Sequence, residues 1–140
     1  MKSAARDERG FTLAELMVVI SILGLLFALT VPTVSSFMRS SRLVGAAQTL
    51  EADIHYAHTI ASTSRKTCII LFSGATYQVE QLNPTTTLLT REMPNGVSCS
   101  ASDTATFYPW GLTDPVSVTV SDSHDSSVVQ IASNGRVVRD

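Results

Sequence analysis

The stretch that decides how this chain is read is "ERGFTLAELMVVISILGLL", residues 8–26. It opens on charges, turns apolar at Phe11 and keeps one carboxylate, Glu15, at the threshold of a greasy run. From Leu16 to Met38 there are 23 consecutive residues without a charge. As a helix rising about 1.5 Å per residue they cover roughly 34 Å, enough for a hydrocarbon core of about 30 Å. A carboxylate at the mouth of such a segment is expensive. Insertion scales put it at about 2.5–3.5 kcal/mol at the bilayer centre, and ionisable residues there usually have a partner.

One partner is local. Thr12-Leu13-Ala14-Glu15 fits a capping box, in which a Glu three residues after a Thr satisfies free amides at a helix start. The helix dipole favours a carboxylate at the same place, and such caps contribute about 1 kcal/mol. Capping accounts for an acidic residue near a helix start. It does not account for the residues before it, or for a charge at lipid depth.

Residues 1–10 read as a polar leader with three basic residues, Lys2, Arg6 and Arg9, against two acidic ones, Asp7 and Glu8. A secretory signal would place a small-residue cleavage site after the apolar region, and none follows this one. The processing point lies before it, at Gly10-Phe11. The positive-inside bias keeps the leader cytoplasmic and sends the C-terminal part across the membrane. Pro32 removes a backbone donor inside the apolar run and invites a kink.

Beyond Met38 the helical pattern continues with one greasy face. Leu43, Ala47, Leu50, Ile54, Ala57 and Ala61 recur at spacings of three and four, an amphipathic stripe running to about Ser64. After Lys66 come short β-type runs between turn signals: 67–72, 76–82, 86–92, 97–99, 104–108, 116–121, 127–133 and 136–139. Asn134-Gly135 reads as a two-residue hairpin turn. The expected fold is α+β. A long N-terminal helix, half membrane segment and half amphipathic, packs on a mostly antiparallel sheet. The expected organisation is a leader at 1–10, a membrane helix at 11–38 and a globular domain at 39–140.

Gly10-Phe11-Thr12-Leu13-Ala14-Glu15 followed by an uncharged run of membrane length resembles the class III signal of type IV pilins and type II secretion pseudopilins. The resemblance implies cleavage after Gly10 by a prepilin peptidase and N-methylation of Phe11. It also implies assembly through Glu15, which meets the Phe11 amine of a neighbour already in the filament. That amine, with a pKa of roughly 7.7–8, is positive at neutral pH, and the pair attracts strongly in low dielectric. Pro32 stands where many of these proteins carry a helix-melting proline.

Further along, Phe107-Tyr108-Pro109-Trp110-Gly111, the segment "AHTIASTSR" (57–65) and Asn134-Gly135-Arg136-Val137 together resemble the GspH/FimT family of minor pseudopilins and minor pilins. His58 stands where arginine is commoner in that family. The implied partners are the prepilin peptidase, other pilins or pseudopilins and the bacterial inner membrane, with the C-terminal domain in the periplasm. No cofactor, metal, catalytic residue or small-molecule substrate is implied. Some family members bind DNA through a C-terminal Gly-Arg-x-Arg pattern. Here Gly135-Arg136-Val137-Val138-Arg139 departs by one residue, placing Arg136 and Arg139 on opposite faces of a strand. From Phe11 onward seven basic residues stand against ten acidic ones, which disfavours phosphate binding. A membrane-anchored binding domain outside any filament is a further alternative.

Outside the cytoplasm Cys68 and Cys99 would close a loop of about 30 residues in one disulfide, worth about 3–4 kcal/mol in the chain-entropy view; two free thiols is the alternative. Glu51, His55 and His58 share a helix flank with metal-like spacing, yet read better as a polar border of the stripe. Asp122, His124 and Asp125 read as a solvated loop, lacking a calcium-type ligand series. Phe107 and Trp110 fit a core role, and Gly135 a type I′ turn. Nothing matches a nucleophile elbow or a phosphate loop.

Overall fold

A computed structural model describes residues 11–139, with only the backbone described at 31–33. The leader and Gly10 therefore lie outside the described residues. One helix, α1 (Leu13–Ser64), carries the first half of the chain. It divides with the rest of the protein into two compact units, one ending at Met38 and the other beginning at Arg39.

In the first unit every described side chain from Phe11 to Met38 is exposed. Its best stretch has a mean hydropathy of 2.4, so α1 is long and apolar enough to cross a membrane. Two of its hydroxyls bond back into the helix. Ser21 Oγ donates to the Met17 carbonyl at 2.7 Å and Thr30 Oγ1 to Leu26 at 2.8 Å. Such back-bonding spares a hydroxyl an unsatisfied donor in an apolar medium. Pro32 sits within the helix by its backbone, and its side chain lies outside the described residues.

In the second unit the stripe foreseen from spacing is the buried face. Leu43, Ala47, Leu50, Ile54, Ala57 and Ala61 are all buried, joined by Ala46 and, unexpectedly, by Asp53. Eight strands follow: β1 (Cys68–Ser73), β2 (Thr76–Gln81), β3 (Thr86–Glu92), β4 (Ser98–Ala101), β5 (Ala105–Phe107), β6 (Val116–Ser121), β7 (Ser126–Ile131) and β8 (Val137–Arg139). They form two four-stranded sheets rather than one, ordered β3-β2-β1-β5 and β4-β6-β7-β8, with every pairing antiparallel. Alternation decides which side chains enter the core: Cys68 and Ile70, Tyr77 and Val79, Ala105 and Phe107, and Val116, Val118 and Val120 all point in. Bridges Gly74↔Cys99 and Phe107↔Thr113 stitch the sheets and the β5–β6 loop together.

Three expectations need correction. The cysteines are both free and buried. Cys68 opens β1, whereas Cys99 bridges to Gly74 just beyond its far end, six residues away. At about 3.3 Å per residue this is roughly 20 Å of strand, far beyond the Cα separation of about 7 Å that a disulfide tolerates. Burial pushes both thiols up from their ordinary range, and Cys99 Sγ donates to the Gly74 carbonyl at 3.3 Å.

The second correction concerns Asn134-Gly135. Gly135 N–H donates to the Ala132 carbonyl and Ala132 N–H to Arg136, so the turn holds three residues, Ser133 to Gly135. Gly135 takes the left-handed position at φ 76°. This is the three-residue hairpin with a bulge glycine, not a type I′ turn. Third, Phe107 is fully buried but Trp110 is 68% exposed.

Candidate assembly site

At the N-terminus the geometry follows from the Thr-x-x-Glu spacing. Thr12 precedes the first helical residue, and its Oγ1 accepts from Glu15 N–H at 3.2 Å. Glu15 Oε2 in return accepts from Thr12 N–H at 3.0 Å and from Thr12 Oγ1 at 3.1 Å. The capping box is thus formed, with Glu15 and Phe11 both exposed. Only one carboxylate oxygen is engaged in these bonds. Around it lie Phe11, Leu13, Leu16 and Met17, more than half exposed. A charge and a bare apolar helix face share one end of the chain.

Within the second unit, the helix is fixed to the first sheet by a buried carboxylate. Tyr77 Oη donates to Asp53 Oδ2 at 2.6 Å, and Arg91 grips both Asp53 oxygens, through Nε at 3.1 Å and Nη2 at 3.2 Å. Burial, then the bond to Asp53, holds the Tyr77 phenol well above its ordinary range, and the same carboxylate raises Arg91. A forked pair of this kind fixes geometry as well as charge. The earlier motifs did not point to it, although one signal was present: Asp53 falls three residues after Leu50 and four before Ala57, inside the apolar stripe.

The three segments that carried the family resemblance meet at one residue. His58 Nε2 donates to the Gly111 carbonyl at 3.1 Å and its ring lies edge-on to Phe107 at 6.3 Å. A Cβ on Gly135 would lie 2.6 Å from the same Nε2. Glycine is required there by contact as well as by φ. His58 is therefore a junction between helix, β5–β6 loop and β7–β8 turn, apart from exposed His55. The loop residue Asp122 uses Oδ1 to cap the amides of His124 and Asp125, which holds its carboxyl below the usual range, while Arg39 Nη1 approaches His124 Nδ1 at 3.5 Å. Arg136 and Arg139 are both exposed, with Arg139 in β8 and Arg136 just after the Ser133–Gly135 turn, between it and β8.

A prepilin-type start, a long helix and antiparallel sheets packed on it define the class of pilin-like subunits. Residues 5–31 match the prokaryotic N-terminal methylation motif, and residues 46–135 match the family described as type II transport protein GspH. The chain belongs to that GspH family. No match is found among curated proteins. Among solved structures it resembles the type IV minor pilin FimU of Pseudomonas aeruginosa, at TM-score 0.62 and 17% identity, over 74% of this chain and 92% of that one. It likewise resembles the minor pseudopilin EpsH from the type 2 secretion system of Vibrio cholerae, at TM-score 0.62 and 9% identity, over 71% and 93%. At these identities the likeness is one of fold.

Proposed function

We propose that the protein is a minor subunit of a type II secretion pseudopilus, without catalytic activity of its own. It would be held in the inner membrane with its globular domain in the periplasm, cut after Gly10 and methylated at Phe11. Pro32 would be the point at which its apolar helix bends within the filament. The observation that carries this reading is the first unit: a capped, exposed Glu15 at the head of a helical stretch whose described apolar side chains, through Met38, are all exposed. Such a surface must be covered by lipid before assembly and by neighbouring helices after it. Glu15 supplies register, because its counter-charge, the Phe11 amine of a neighbour, exists only once the leader is removed.

Glu15→Gln tests it, since the amide keeps a capping partner and loses the charge. Incorporation into sheared filaments should fall at least tenfold while membrane levels stay unchanged. Undiminished incorporation would leave Glu15 a helix cap only. The equal likeness to a type IV minor pilin favours a second setting, a pilus, with the same chemistry at Phe11 and Glu15. A DNA-binding version of that reading rests on Arg136 and Arg139. It requires a low-salt gel shift that disappears in Arg136→Ala.

A further inference from the structure

The chain has a single tryptophan, and the fold leaves it in solvent. Trp110 stacks on Tyr108, centroids 5.0 Å apart and planes 8° from parallel, with Leu112 beside it 53% exposed. Holding so much aromatic surface in water costs burial energy that a core position would recover. The loop that does so is nevertheless tightly tied. Gly111 N–H donates to the Tyr108 carbonyl, Tyr108 N–H to Leu112, and His58 holds the Gly111 carbonyl from the helix. Tyr108 Oη donates to Asp114 Oδ2 at 3.1 Å. A rigid exposed Trp backed by a half-buried Tyr is what binding hot spots are made of, because little ordering remains to be done on contact.

The carboxylate held beside the stack selects the partner. The Asp114 carboxylate lies at the rim of the aromatic stack, and among the described residues no cation is paired with it. A π-face next to a carboxylate attracts a cation twice over, whereas phosphate would be repelled.

We propose that the Tyr108–Trp110 ledge is a docking point for a lysine or arginine side chain of a neighbouring protein subunit, with Trp110 as the face the cation covers and Asp114 as its counter-charge. Leu112 packs against the apolar surface around that side chain. This contact lies on the globular unit and goes beyond the role proposed for Glu15.

A photo-crosslinking amino acid at position 112 of the full-length chain, expressed in its own host, tests it, with position 119 on the second sheet as control. The expected result is a protein adduct at 112 and not at 119, mapping within a few residues of a lysine or arginine. It should drop at least fivefold in Asp114→Arg and in Trp110→Ala, while the thermal midpoint stays within about two degrees. Exchanging the mapped basic residue for aspartate should restore the adduct in Asp114→Arg. Three results would overturn the proposal: no protein adduct at 112, an adduct to lipid or nucleic acid only, or one indifferent to Asp114→Arg. Scored in total membranes, the adduct is read separately from filament incorporation, so a failure of the Glu15 reading and a failure of this one remain distinguishable.

Discussion

The two stretches of α1 obey the same helical geometry and meet opposite fates. From Phe11 to Met38 every described side chain is exposed, although most are apolar; from Leu43 to Ala61 a narrow stripe is buried almost completely. The first is greasy all round and is exposed at every described side chain. The second is greasy on one side and finds two sheets' worth of cover. What separates them is the angular distribution of apolar residues, since an all-round apolar helix needs a surrounding medium whereas a striped one needs only a surface.

That contrast can be broken at its strongest point by moving one charge. Ile54→Asp puts an unpaired carboxylate into the core and should unfold the globular unit, a loss above about 4 kcal/mol, with the cooperative melt of the full chain disappearing. Ile20→Asp, in the exposed stretch, should leave that melt in place and deplete the chain from membranes instead. Equal melts for both variants would erase the distinction.

The next effect concerns how the second stretch is held. Asp53→Ala strands the Tyr77 hydroxyl in the core and frees Arg91. It should cost about 2–4 kcal/mol in denaturant unfolding. A loss under about 1 kcal/mol would make the helix a passenger of the apolar stripe alone. Gly135→Ala is smaller. A left-handed φ and a methyl against His58 should together cost about 1–3 kcal/mol, and His58→Ala should relieve part of it. Additive losses would show that the three segments do not communicate through that ring.

The smallest effect is at Thr113, whose hydroxyl is buried without a hydrogen-bond partner among the described residues. Thr113→Val keeps the shape and removes a stranded donor, so the melting point should hold or rise slightly. A marked fall would reveal a bond formed by that hydroxyl through bound water.

Local rules made much of this legible beforehand. The capping box needs only Thr12 and Glu15 at the right interval, and the stripe needs only a period near 3.6, so both could be read along the chain. Eight β runs were visible through alternation and turn residues for the same reason. Asp53 was legible only as an oddity inside the stripe, because its partners stand 24 and 38 residues away on two strands. The cysteines misled because loop length says nothing about which end of a strand each occupies. Trp110 misled because hydrophobicity predicts a core place on average, and a turn tied at four points overrules it.

By itself, then, the sequence determined what depends on neighbours in the chain: where the membrane-length run starts, which carboxylate caps it, which face of the later helix is apolar, and where strands alternate. These follow from short-range geometry and composition. Only the tertiary structure decided the division into two sheets, the grip of Tyr77 and Arg91 on Asp53, the meeting of Gly111 and Gly135 at His58, and the presentation of Trp110. Each of these depends on segments far apart in sequence brought to one place, where a few ångströms decide whether groups bond, clash or stay in water.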